Sequence, residues 1–200
     1  MGQLDVLKFL HFKGADLFQV DGNGENGIHW AARKGHCDVI EFLHQQGLPV
    51  NCTNKIGDTP LHLASKQGHA KPVELLCRHH GDVNRQNDEG ETALHLASVR
   101  GHIESVRCLI AAGANPNITD KHGCTALHLA LRRHHVSIAI MLLQDGCNID
   151  IVDNLGEAPI HIAAREGLLP MAQTLCAFGC KVEIPNKVCI MLVKKKGFSK

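Results

Sequence analysis

The chain has 200 residues, and its 21 lysines and arginines against 20 aspartates and glutamates give a formal net charge of +1 with neutral histidine. This balance argues against a general nucleic-acid binder, because neutralising phosphates needs a basic excess or a basic stripe. The 44% hydrophobic content excludes a wholly disordered chain, and no apolar run reaches the roughly 18 residues that a membrane span requires.

The amino terminus is not typical of a secretion signal. It lacks a basic first segment, and Asp5 interrupts its apolar stretch. We therefore expect a chain that is not secreted.

A pattern with a period of 33 residues runs through the sequence, and four residue types recur in register. The histidine column comprises His29, His62, His95, His128 and His161. The glycine column comprises Gly24, Gly57, Gly90, Gly123 and Gly156. Alanine recurs at Ala31, Ala64, Ala97, Ala130 and Ala163, and leucine at Leu43, Leu76, Leu109, Leu142 and Leu175. Four columns in one register indicate a repeat protein.

In chain order, the pattern predicts the second half of an N-terminal repeat in residues 1–20, and then five full repeats. These cover residues 21–53, 54–86, 87–119, 120–152 and 153–185. Residues 186–200 form a divergent or truncated tail, with an apolar stretch at 189–193. Neither end shows the polar capping repeat that a solenoid needs, so we expect a fragment of a longer protein.

The repeat at 54–86 shows how one unit folds. Residues 54–57 have the asparagine start and glycine end of a type I turn. Thr59 is the expected N-cap and Pro60 the first residue of a short helix, which Gly68 ends. A second helix is predicted from about residue 71 to residue 78. Since each helix pair is too short to hold a core alone, the sequence predicts an all-α solenoid of stacked helix-turn-helix units.

Two histidines break the glycine pattern at helix ends. His134 stands where other repeats have Gly35, Gly68 or Gly101, and His80 also replaces a glycine. A left-handed backbone at such a residue costs about 1 kcal/mol. We therefore expect the fourth full repeat to be the least stable.

Three phrases carry a family resemblance. They are Gly57-Asp-Thr-Pro-Leu-His-Leu-Ala64, Gly90-Glu-Thr-Ala-Leu-His-Leu-Ala97 and Gly123-Cys-Thr-Ala-Leu-His-Leu-Ala130. These resemble the signature of the ankyrin repeat, and the resemblance covers more than nine-tenths of the chain. It implies an ankyrin-repeat solenoid with β-turn fingers and a non-catalytic scaffold that binds a protein partner through a concave groove.

Within that family, the segments at residues 30–36 and 146–150 resemble the ankyrin region of death-associated protein kinases. In those proteins a Ser/Thr kinase domain precedes the repeats, and the array helps with localisation and partner choice. No kinase segment is present in this sequence, so the resemblance implies a regulatory or localising region. A free-standing ankyrin-type inhibitor is the other alternative.

The chain has 15 histidines and nine cysteines, which calls for a test of metal binding. In the histidine column, each ring can reach back to the capping hydroxyl three residues earlier or to the turn backbone. The expected capping pairs are Thr59 with His62, Thr92 with His95, and Thr125 with His128. A zinc site needs four convergent ligands, whereas these columns spread along the array, so we expect neither metal nor cofactor.

The cysteines form no CxxC pair and are interpreted as buried free thiols that act as small hydrophobic side chains. They favour a reducing compartment, the cytoplasm or the nucleus. Residues 21–24 are glycine-rich but lack the lysine of a phosphate-binding loop, and no nucleophile with a positioned base is evident. We therefore expect no catalytic residues.

The remaining exposed positions are candidate partner-binding residues. An acidic row follows the turn glycines, at Glu25, Asp58, Glu91 and Glu157, with Cys124 in the same column. A basic row ends the first helices, at Arg33, Lys34, Lys66, Arg100, Arg132 and Arg133. These rows either orient a partner segment of mixed charge or pair with each other, and surface pairs of that kind contribute about 0–1 kcal/mol. Trp30 replaces the aliphatic residue of its column and is a candidate anchor for the protein partner of a monomeric module.

Overall fold

The computed structural model describes residues 3–181, and the described chain contains eleven helices and no strand. The helices are α1 Gln3–Phe12, α2 Gly27–Lys34, α3 Cys37–Gln45, α4 Pro60–Gln67, α5 Ala70–Arg78, α6 Ala93–Arg100, α7 Ile103–Ala111, α8 Ala126–Arg132, α9 Val136–Gln144, α10 Pro159–Arg165 and α11 Leu169–Ala177. The prediction of an all-helical repeat solenoid is confirmed. The tail predicted at 186–200 lies outside the described residues.

Each full repeat contributes a first helix and a second helix, as in α4 and α5. The first helix α4 begins after Thr59, with Pro60 as its first residue, and ends at Gly68, whose φ of 77° is left-handed. A side chain rarely adopts that backbone conformation, which is why glycine recurs at this position. His80 and His134 do adopt it, with φ of 61° and 59°, as their place in the pattern predicts.

The helices stack in two layers, first helices on first helices and second helices on second helices. The leucine column lies between the layers and is buried in every full repeat, with Leu76, Leu109 and Leu142 at 0% exposure. Burying one such side chain stabilises the fold by about 1.5–3 kcal/mol. The core is therefore a continuous strip along the array, built by contact between neighbouring repeats.

Turn fingers project from one side of this stack and bond to one another. The amide of Lys55 donates to the carbonyl of Asn23 at 2.9 Å, and the amide of Asn154 donates to the carbonyl of His122 at 2.9 Å. Equivalent bonds join the fingers between them. This bonding fixes the fingers beside the ends of the first helices. No helix between residues 3 and 181 is long and apolar enough to cross a membrane.

Candidate partner-binding surface

The histidine column closes the amino-terminal end of each first helix. The Nδ1 atom of His62 accepts a hydrogen bond from the backbone amide of Thr59 at 3.1 Å and lies 2.8 Å from the Thr59 hydroxyl oxygen. Thr92 with His95 and Thr125 with His128 show the same distances. Each ring thus satisfies a backbone donor that the helix leaves unpaired.

The other ring nitrogen joins neighbouring repeats, a role that the sequence pattern did not reveal. Since Nδ1 accepts, Nε2 carries the proton and donates it. His62, His95 and His128 each donate to a backbone carbonyl of the following repeat at 3.1 Å, that of Glu91, Cys124 and Glu157 respectively. The only signal in the sequence was that the column never changes residue type.

Burial favours the neutral form of these rings. Loss of water around the side chain lowers the pKa of His29, His62, His95 and His128 below the ordinary value of 6.5. Protonation would also place a proton on Nδ1, against the amide that it now accepts. The rings therefore act as neutral bridges, and none is presented to a ligand.

The acidic row is buried, and the expectation that it lines an exposed surface is wrong for three of its residues. Glu25, Asp58 and Glu157 are only 3%, 1% and 4% exposed. The turn asparagine of the following repeat covers Glu25 and Asp58. Asn54 donates through Nδ2 to Glu25 at 3.1 Å, and Asn87 donates in the same way to Asp58 at 2.8 Å.

Arginines at the ends of first helices reach back and pair with these carboxylates. Arg33 pairs with Glu25, and Arg165 pairs with Glu157, eight residues earlier in each case. A first helix is only about two turns long, so an arginine at its end can reach the residue before its N-cap. Of the two readings that the sequence left open, internal pairing holds for these pairs.

Arg132 also turns inward, which removes it from the expected exposed set. Its guanidinium pairs with Asp153 and lies 3.6 Å from a carboxylate oxygen of Glu157. Its other amino group donates to the sulfur of Cys124 at 3.1 Å. Cys124 is 1% exposed, and burial raises the pKa of its thiol to about 11, so the neutral thiol replaces a carboxylate in this repeat.

Four cations of the basic row remain without an ion pair to any residue between 3 and 181. They are Lys34, Lys66, Arg100 and Arg133, which we call the cationic stripe. Lys34, Arg100 and Arg133 are exposed, and Lys66 is half-buried. Glu91, the remaining acid of the acidic row, is also half-buried and accepts a bond from Asn87 at 3.3 Å.

The stripe follows consecutive first helices, since the ends of these helices contact each other through a second histidine column. His69 donates to the carbonyl of Arg33 at 3.1 Å, and His102 to that of Lys66 at 3.3 Å. Each of these bonds crosses from one repeat to the repeat before it. The cations therefore lie on consecutive repeats, with Lys34, Arg100 and Arg133 in one column and Lys66 in the adjacent column.

Trp30 lies at the amino-terminal end of this surface and is 44% exposed, whereas Leu63 and Leu96 in its column are 3% and 4% exposed. No first helix among the described residues packs on that side of α2, so the ring is left uncovered. Its indole N–H donates to Asp21 at 3.2 Å, and the Arg33 guanidinium lies 5.4 Å from the ring centroid. These contacts hold the ring beside Lys34 and a shallow pocket of about 290 Å³.

The described histidines, cysteines and acidic residues do not gather into a metal site or an activated thiol. Within residues 3–181, no group of three or more histidine, cysteine or acidic side chains could hold a metal ion. The described cysteines are all free, and Cys176 is exposed rather than buried. Every described cysteine with a shifted pKa has it raised by burial, so none of these thiols is activated by a lowered pKa.

Comparison with protein families gives a match to a family model described as ankyrin repeats (3 copies). It matches residues 1–87, 28–120, 71–153 and 101–186, which together span residues 1–186. Comparison with curated proteins gives no significant match.

Proposed function

The chain belongs to the ankyrin-repeat family, and from this premise we propose that it is a non-catalytic module that binds a protein partner along the surface carrying Trp30 and the cationic stripe. The observation that supports the proposal is that some charged residues are paired within the fold and others are not. Glu25, Asp58, Arg132 and Arg165 are engaged within the fold. The cations of the stripe make no ion pair among residues 3–181, and they lie at the ends of consecutive first helices.

Rigidity is useful for such a role. The fingers, both histidine columns and the packed leucines connect each repeat to the next. A surface that is ordered before binding loses little conformational entropy when a partner docks. The module therefore presents fixed side chains at fixed spacing.

Site-specific photocrosslinking tests this proposal. A photoreactive amino acid is placed at Gln67, which is exposed at the end of α4, and in a second protein at Glu74, which is exposed on α5. We expect partner adducts at position 67 and few at position 74. Adducts at position 74 alone would contradict the assignment of the surface.

The Trp30→Ala variant gives an independent check of the same surface. We expect weaker adduct formation at position 67 with unchanged circular dichroism, because aromatic anchors contribute strongly at interfaces. Unchanged capture would exclude Trp30 from the site.

A narrower proposal concerns the parent protein. The resemblance of residues 30–36 and 146–150 to death-associated protein kinases supports a regulatory or localising region in a larger kinase, with the cytoplasm or nucleus as its compartment. A free-standing monomeric inhibitor is the alternative. An immunoblot of the endogenous polypeptide separates them, because a free-standing protein migrates near 21.8 kDa and a kinase several times higher.

A further inference from the structure

We propose that the partner segment is an extended, acidic peptide with a carboxylate at about every third residue. This inference rests on the proposed function and adds the chemistry of the partner. The inference follows from which charged side chains are paired within the fold and from the distance between those that are not.

The fold removes negative charge from this surface and leaves positive charge. Glu25, Asp58 and Glu157 are buried and engaged within the fold, so they offer little to a partner. At the finger tips, Lys55 and Lys121 balance Asp88 and Glu89, and Lys121 lies 3.5 Å from Glu89. Glu91 is the one partly exposed acid of the acidic row.

The helix dipoles do not cancel the stripe. Each of its cations lies in the last turn of a first helix or just after it, where the helix end carries about half a negative charge. A full positive charge on a mobile side chain therefore leaves a net positive charge at each repeat. Such a row attracts and orients a negatively charged partner segment in solution.

The spacing selects an extended chain. Packed helices lie about 8–10 Å apart, and an extended peptide advances about 3.3 Å per residue. One repeat of the array therefore corresponds to about three residues of an extended partner. Four cations match four carboxylates across roughly ten residues, whereas a helical partner of that length, at about 1.5 Å per residue, spans only about half the stripe.

Glu166 marks the end of the stripe. It occupies the column of Arg100 and Arg133 in the last full repeat, and its carboxylate lies 3.1 Å from Arg165 and 3.4 Å from His134. The acidic segment is thus expected to cover the first four full repeats and to stop before the fifth.

Fluorescence anisotropy of a labelled peptide tests the inference. The probe is Glu-Thr-Ser repeated four times, and the comparison peptide has the same composition with its glutamates contiguous. We expect the spaced peptide to bind more tightly, and Arg133→Glu and Arg100→Glu each to weaken it at least about fivefold. Glu166→Lys and Glu91→Gln should strengthen binding, because each adds to the net positive charge.

Lys71→Glu is the matched control, since Lys71 is exposed on the second helix α5, makes no ion pair in residues 3–181 and changes charge by the same amount. Binding should be unchanged in that variant. Equal weakening by Lys71→Glu and Arg133→Glu would mean attraction to overall charge, and would overturn the inference. Absence of binding by the spaced peptide would overturn it as well, while crosslinking at position 67 would still support the proposed function.

Discussion

Acid should unfold this protein through its buried histidine column. Four histidines, His29, His62, His95 and His128, are at most 1% exposed, and burial lowers the pKa of each below its ordinary value of 6.5. The unfolded chain therefore binds more protons than the folded chain once the pH falls below that value. The contribution of these rings to stability is complete above about pH 6.5 and is lost as the pH falls through the window between the unfolded and folded pKa values.

The structure sets the size of the effect. A histidine that stays neutral in the folded state loses at most about 1.4 kcal/mol for each pH unit below 6.5. Four such rings lose at most about 5 kcal/mol over the first unit, which is comparable with the whole stability of many domains. Protonation of a folded ring would also break the bond that Nδ1 accepts, such as the 3.1 Å bond from the Thr92 amide to His95.

Urea unfolding followed by circular dichroism at about pH 7.5, 6.5 and 5.5 measures how steeply the free energy of unfolding changes with pH. The His95→Gln variant should be less stable at neutral pH, and its slope should fall by up to about 1.4 kcal/mol per pH unit because one titrating ring is gone. His122→Gln is the control, because His122 is exposed at a finger tip. A wild-type unfolding free energy that stays constant between pH 6.5 and 5.5, or equal slope changes in both variants, would refute the reasoning.

Three further changes test the backbone and the buried charges. His134→Gly should raise the free energy of unfolding, measured with urea, by about 1 kcal/mol, because it relieves a left-handed φ of 59°. No gain would contradict the expectation that the fourth full repeat is the least stable. Gly101→Ala should lower the free energy of unfolding by more than about 1 kcal/mol, because the residue has φ of 78° and the new methyl would lie 2.6 Å from the ring of His135. Arg165→Ala should lower the free energy of unfolding by about 1–2 kcal/mol, because it leaves the buried Glu157 carboxylate without that partner. Arg133→Ala should change thermal stability little, since Arg133 is exposed and makes no ion pair in residues 3–181. Similar losses in the two variants would contradict the distinction between paired and available cations.

Local interactions explain why much of the fold could be predicted from the sequence. Thr59, Pro60 and Gly68 specify a helix start and end through their own backbone and side-chain chemistry, and the structure places α4 between them. The 33-residue period then required stacking, since no pair of short helices forms a core alone. The left-handed backbone of His80 and His134 followed from their place in the same pattern.

The candidate surface was predicted less well, because burial depends on the neighbouring repeat. Glu25 and Asp58 looked exposed when the chain was considered one repeat at a time, since acidic residues after a turn glycine are usually solvated. In the structure, the turn asparagine of the next repeat covers each of them. Trp30 shows the reverse case, where a residue in a buried column is half exposed because no first helix among the described residues packs beside it.

Turns, caps and glycine conformations depend on residues within a few positions of each other, so the amino-acid sequence was enough to specify the elements and their register. Which charges are engaged within the fold and which stay available is set by the stacking of the repeats. That outcome depends on contacts outside the helix itself, from Arg33 with Glu25, eight residues apart, to Asn54 with Glu25, 29 residues apart. Because a carboxylate or an arginine is equally compatible with an ion pair or with solvent, its role is set by whatever the stacking brings beside it.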